Sequence, residues 1–256
     1  MLDTAFAAAR AAGRIIEQNY YRTIEVHSKG LRDLVTEVDL AAQEVIVDTI
    51  TARFPQHAIL AEEGLGSLDE LGEYTWIVDP LDGTTNYAFR LPIFAVSIGL
   101  AYRGESVLGV VYDPMRDQMF HAQVGQGAFL NGAPLHVAQR KDPIGTLVAF
   151  DSPRESDLRQ QLVRILNHIA PQIGTLRALG SAALGPCYVA AGWLDAYLHL
   201  RLAPWDTAAA AVIVREAGGR ATDLAGQPWT LATERFLAAS DALHPLLVAL
   251  IGDALA

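Results

Sequence analysis

The sequence predicts a layered α/β fold of two lobes, residues 1–140 and 141–256, and three observations carry that expectation. Apolar residues recur at helical spacing at the start of the chain, short β-rich runs follow one another between Ile93 and Val137, and strand-like and helix-like segments alternate after Lys141-Asp142-Pro143. With 256 residues, 51% apolar and 19% charged, the chain has the material for one large domain or two tightly joined lobes around a sizeable core.

In chain order, helices are expected over Asp3 to Tyr21 and over Glu37 to Arg53, the second stopped by Phe54-Pro55. Each should pack one face on a sheet. The β-rich stretch reads as a meander: Phe94 to Tyr102, a turn at Arg103-Gly104, Val107 to Tyr112, a turn at Asp113-Pro114, Gln118 to Gln123, and an Asn131-Gly132 turn. In the second half, strands are expected near Thr146–Phe150, Thr175–Arg177, Asp195–Leu200 and Phe236–Ala239. Helices are expected at Glu155–Ala170, Ser181–Ala191, Asp206–Ala217 and Ala242–Leu250.

The formal net charge of −10 argues against nucleic acid or an anionic membrane as partner, because both attract clustered Lys and Arg. For an enzyme of small anions that acidity fits only if divalent cations hold some of the carboxylates. The single cysteine, Cys187, has no partner for a disulfide or a thiolate metal site, so a buried thiol and a cytoplasmic setting are expected. The alanine-rich start is broken by Asp3, Arg10 and Arg14 without a signal-peptide layout, and no apolar run approaches the ~20 residues of a membrane span.

The most informative segment is Trp76-Ile-Val-Asp-Pro-Leu-Asp-Gly-Thr-Thr-Asn86, an apolar strand running into two aspartates three apart. Pro80 interrupts a regular ladder, so Asp79 and Asp82 can project toward a common point as hard oxygen donors suited to Mg²⁺. Gly83 permits close backbone approach, and a helix starting at Thr84 would turn free N–H groups toward an anion. The two residues between the aspartates disfavour a covalent aspartyl-phosphate, whose signature has one, and favour metal-activated water. Each outlying acid has a plainer reading too. Asp39 stands three residues after Thr36 and could complete a capping box, Asp206 could be a helix N-cap, and Glu62 and Glu63 could be solvated loop acids.

Trp76 to Asn86, with Phe94-Ala-Val-Ser-Ile-Gly99, resembles the inositol monophosphatase family. So do Asp33-Leu-Val-Thr-Glu-Val-Asp39, Ile59-Leu-Ala-Glu-Glu-Gly64, Gly180-Ser-Ala-Ala183, Trp193-Leu-Asp-Ala-Tyr197 and Pro204-Trp-Asp206 followed by Ala217-Gly-Gly219, in the family's order across nearly the whole chain. The resemblance implies alternating helix and sheet layers, a homodimer, two or three Mg²⁺ ions, lithium sensitivity, and hydrolysis of a small phosphorylated polyol or sugar. By that resemblance Glu62, Asp79 and the Leu81 carbonyl hold one ion, Asp79, Asp82 and Asp206 a second, and Glu62 with water a weaker third. Thr84, oriented by Asp39, positions the attacking water, and the N–H groups of Gly83 and Thr84 grip the phosphate. Gly180, Ser181, Ala182 and His199 join Asp82 and Asp206 on the substrate side.

One departure bears on specificity. Animal enzymes of the family carry an inositol-binding glutamate seven residues before the Trp-Asp aspartate, where this chain has His199, with Arg201 two residues later. Strand alternation puts Tyr197, His199 and Arg201 on one face. His199 is then either a reader of substrate or a hydrogen-bonded strand histidine, and Arg201 or Arg177 could serve a second phosphate. Inositol monophosphate is the leading substrate. The alternatives are fructose bisphosphate or histidinol phosphate and, in another class, a non-catalytic regulatory role on the same fold.

Overall fold

The computed structural model describes residues 1–255 and consists of five stacked layers, helix, sheet, helix, sheet, helix. The first helix, α1 (Leu2–Asn19), buries Ala5, Ala8, Ala9, Ala12 and Ile16, a stripe spaced three and four apart. The strands β1 (Val26–Gly30) and β2 (Asp33–Thr36) form a separate antiparallel hairpin. Helix α2 (Glu37–Thr51) starts from Thr36, whose hydroxyl accepts the Val38 N–H, and lies beside α1.

The large sheet comprises β3 (Ala58–Ala61), β4 (Tyr74–Asp82), β5 (Ala95–Tyr102), β6 (Glu105–Asp113), β7 (Gln118–Gln123), β8 (Ala128–Leu130) and β9 (Ala133–Pro134), in that spatial order. The β3–β4 pair is parallel and the rest is the antiparallel meander expected, with turns at Arg103-Gly104 and Asn131-Gly132. A short helix, α3 (Thr84–Ala88), leaves the end of β4.

The second sheet comes from β10 (Leu147–Phe150), β11 (Thr175–Ala178), β12 (Ala196–His199), β13 (Gly219–Thr222) and β14 (Phe236–Ser240), ordered β11-β10-β12-β14-β13. Its helices are α4 (Ser156–Ile169), α5 (Leu184–Ala190), α6 (Pro204–Glu216) and α7 (His244–Leu255). One core lies between α1, α2 and the large sheet, a second encloses α5 and α6 between the two sheets, and a third joins the small sheet to α4 and α7.

Helix α6 lies unusually close to the large sheet because Gly99 and Gly109 face each other across β5 and β6 and leave a groove. A methyl group on Gly109 would stand 2.1 Å from the Ala209 carbonyl oxygen, so the helix backbone itself rests there. That contact sets where Asp206, in the first turn of α6, sits relative to β4.

The structure corrects the starts of two helices and adds strands that the sequence did not announce. Helix α6 begins two residues early, with Pro204 at its first position where a missing N–H costs nothing, so Asp206 is its third residue rather than its cap. Helix α5 begins at Leu184 instead of Ser181, because residues 181 and 182 are engaged in holding Asp82. The β1–β2 hairpin and β3 carry no alternation that would have announced them: β1 is exposed along its whole length, and β3 is a four-residue parallel strand.

Candidate active site

A β-bulge brings Asp79 and Asp82 together. Along a regular strand, residues three apart point to opposite faces. Here Asp79 pairs with Ser97 and Asp82 with Ala95, so β4 spends three residues where β5 spends two. The extra residue restores a common face, and Pro80, which has no N–H to place in a ladder, sits inside the irregular stretch. Glu62 reaches the same point by parallel pairing: Ala61 lies opposite Val78, the Glu62 N–H donates to the Val78 carbonyl, and the side chain comes up beside Asp79. Asp206 arrives from α6, its Oδ2 accepting the Ala203 N–H at 2.7 Å.

All four acids line one cavity of about 1120 Å³. Asp79 is 2% and Asp82 5% exposed, and burial pushes both carboxyls up, Asp82 to about 7. Asp79 rises well above its ordinary range, with Glu62, Asp82 and Asp206 adding repulsion to burial. Burial and then Glu62 raise Asp206 to about 8. Among the described residues no three His, Cys, Asp or Glu side chains are arranged, as they stand, to hold a metal ion. Each acid is instead turned to a protein donor: Asp79 Oδ1 takes the Leu81 N–H at 3.0 Å, Ser181 Oγ donates to Asp82 Oδ2, and the Ala182 N–H donates to Asp82 Oδ1 at 2.8 Å. Several buried carboxylates repelling one another beside a backbone carbonyl form a hard-oxygen donor set, and that chemistry fits Mg²⁺.

Asp39 completes the cap that its spacing from Thr36 suggests and also bonds Thr84. Its Oδ2 accepts the Thr36 N–H at 2.9 Å and the Thr36 hydroxyl, completing the cap of α2, while its Oδ1 accepts the Thr84 hydroxyl at 3.0 Å. Burial raises this carboxyl to about 6, against the hydrogen bonds from Thr36 and Thr84. The Leu81 carbonyl is also 3.0 Å from Thr84 Oγ1, but one hydroxyl has one proton. Given to Asp39, it leaves the Leu81 carbonyl free for a cation and a Thr84 lone pair free to accept from water. Gly83, at φ +86°, is packed so tightly that a Cβ would stand 2.9 Å from the Ile93 carbonyl oxygen.

Lys29 escaped the sequence reading. Its ammonium, carried by β1, binds Glu62 at 2.9 Å and Glu63 at 2.8 Å; burial alone would lower its pKa, but the two carboxylates outweigh it and push it up. The available signal was rarity, since Lys29 is one of only two lysines among 19 basic residues. Glu62 and Glu63 are therefore not freely solvated.

His199 lines the cavity yet is only 7% exposed. Its Nδ1 accepts the Arg201 N–H at 3.1 Å, so one ring nitrogen is engaged within the protein. Burial lowers its pKa to about 4. Arg201 is bracketed by Glu155 at 3.1 Å and Glu234 at 3.6 Å, and Arg177 lies outside the cavity lining, on β11. The strained protonation of His199 has a consequence for stability. Between pH 6.5 and 4 the unfolded chain protonates this ring and the folded protein does not, so acid favours unfolding in that window. The variant His199→Gln should lose less stability than the parent over the same range, by on the order of 2 kcal/mol, in urea melts at the two pH values. Equal losses would show that His199 protonates in the fold.

A five-layer sandwich whose inter-sheet cavity is lined by four acids from β4, α6 and the end of β3 defines the fold class of inositol monophosphatase-like proteins. The chain belongs to the inositol monophosphatase family, whose model matches residues 1–256. It is 44% identical over 230 residues to the Nus factor SuhB of Escherichia coli K12, covering 88% of this chain and 86% of that protein. Among solved structures it superposes on a Thermotoga maritima IMPase with a TM-score of 0.92 and 34% identity, covering 99% of this chain and 97% of the other. A structure of SaIMPase-II bound to inositol monophosphate gives a TM-score of 0.83 and 33% identity, covering 97% and 92%.

Proposed function

We propose that the protein is a Mg²⁺-dependent phosphomonoesterase acting on a small phosphorylated polyol or sugar, with inositol monophosphate as leading substrate. The observation that carries this reading is the bulge in β4, which sets Asp79 and Asp82 on one face beside Glu62 and Asp206, next to the Thr84–Asp39 pair. Glu62, Asp79 and the Leu81 carbonyl would hold one ion, Asp79, Asp82 and Asp206 a second, and Glu62 a weaker third. Bound there, Mg²⁺ supplies Lewis acidity that activates water and offsets charge on the departing alkoxide. Thr84, its proton given to Asp39, holds the water by a lone pair, and the Gly83 and Thr84 N–H groups face the phosphate. The site lies between the lobes 1–140 and 141–256, and the reading includes a homodimer, taken from the family resemblance, and a cytoplasmic setting, taken from the single cysteine.

Inositol monophosphate and 2′AMP, each bound in a structure of SaIMPase-II, head the compounds to test. Phosphate release from a panel of esters with Mg²⁺ should rank inositol monophosphate first, and millimolar LiCl should inhibit where NaCl does not. No turnover of any ester would overturn the reading; superimposable salt curves would remove its lithium-sensitive ion. A bisphosphate preference finds less support, because Arg201 is already paired with two carboxylates. A non-catalytic regulatory role is the second reading, favoured by the likeness to the protein named Nus factor SuhB. Against it stands the complete set of acids with the Thr84–Asp39 pair.

A further inference from the structure

We propose that Asp151 is a positioning residue for this site, acting through the loop 179–182 on the two oxygens of Asp82. The inference rests on the Mg²⁺ reading above. Asp151 follows β10, is 8% exposed, and carries no role in that reading. Its Oδ1 accepts the Leu179 N–H at 2.8 Å and the Gly180 N–H at 2.5 Å, and its Oδ2 accepts the Tyr197 hydroxyl from β12 at 3.0 Å.

The loop it grips runs from the end of β11 to the start of α5 and belongs to neither. On its other side this loop supplies both protein donors to Asp82, the Ser181 hydroxyl and the Ala182 N–H. The Leu179 and Gly180 carbonyls accept from Asn86 Nδ2 at 2.8 and 3.1 Å, tying the same four residues to α3. A single buried carboxylate therefore fixes, from the end of β10 in the small sheet, the orientation of a carboxylate on the large sheet. Charge strengthens the grip, since N–H bonds to a carboxylate are roughly twice as strong as those to a neutral acceptor. Asp151 borders the cavity, but both its oxygens are engaged by the protein.

A merely structural Asp151 would change melting temperature and leave Mg²⁺ affinity alone. As a positioning residue it should change affinity, because partners that orient a metal ligand typically govern about 10- to 100-fold in binding. Calorimetric titration of Mg²⁺ into metal-free protein, alongside phosphate release against Mg²⁺ concentration, reads the difference. Asp151→Ala should raise half-saturating Mg²⁺ roughly tenfold or more, and Asp151→Asn, which keeps a neutral acceptor, by about threefold. Wild-type affinity in either variant overturns the proposal; if Asp151→Ala does not fold, Asp151→Asn decides alone. A parent protein that binds Mg²⁺ but hydrolyses nothing, with the affinity order kept, overturns the hydrolase reading and supports the positioning role. A parent that binds no Mg²⁺ overturns both.

Discussion

Asp79→Asn should lower Mg²⁺-dependent kcat/KM by at least about 10³-fold, a loss of roughly 4 kcal/mol of transition-state stabilisation, while leaving the fold intact. Asp79 is the acid proposed to bridge two ions, and an amide offers one neutral oxygen in place of a charged bridging pair. The same change should raise the melting temperature of the metal-free protein, because it removes a buried charge repelled by Glu62, Asp82 and Asp206. Added Mg²⁺ should then stabilise the parent and not the variant, since a ligand stabilises only the state that binds it. Circular dichroism melts with and without Mg²⁺, together with phosphate release, measure all three effects. Activity within about tenfold of the parent would remove Asp79 from the site.

The second large effect comes from packing far from any ligand atom. Gly109→Ala puts a methyl group 2.1 Å from the Ala209 carbonyl oxygen, a contact relieved only by lifting α6 off the large sheet. Overpacking of this kind costs about 3 kcal/mol, or roughly 6–12 °C in melting temperature for a chain of this size. Because α6 carries Asp206, Mg²⁺ affinity should fall with it. Gly99→Ala would meet the Ala208 methyl at 3.0 Å and α6 backbone atoms at 3.2 and 3.3 Å, looser contacts than at Gly109, and should cost less. A Gly109→Ala protein that melts within about 2 °C of the parent would mean that α6 does not rest on this groove.

Much of the fold was legible because its period is local. The alanine stripe of α1, the meander with its Arg103-Gly104 and Asn131-Gly132 turns, and the alternation after residue 141 are properties of contiguous residues, and the layers follow from burying their apolar faces. Asp79 and Asp82 could be singled out for a related reason: strand, Pro80 and Gly83 are adjacent in the chain. The β1–β2 hairpin was silent because none of β1 is buried, so no hydrophobic pattern marks it.

What the sequence by itself determined is the inventory: the acids, the Thr84–Asp39 pair, and the order of motifs that marks the family. Tertiary structure decided which groups face one another. Only the offset of β4 against β5 puts Asp79 and Asp82 on one face, and only parallel pairing with Val78 lifts Glu62 beside them. Lys29 reaches Glu62 across 33 residues of chain, Ser181 reaches Asp82 across 99, and His199 spends its Nδ1 on the Arg201 N–H, a partner that no strand periodicity identifies. The physical reason is range. Backbone periodicity and turn chemistry act over a few residues, whereas a hydrogen bond forms wherever packing brings donor and acceptor within about 3 Å, whatever their separation along the chain.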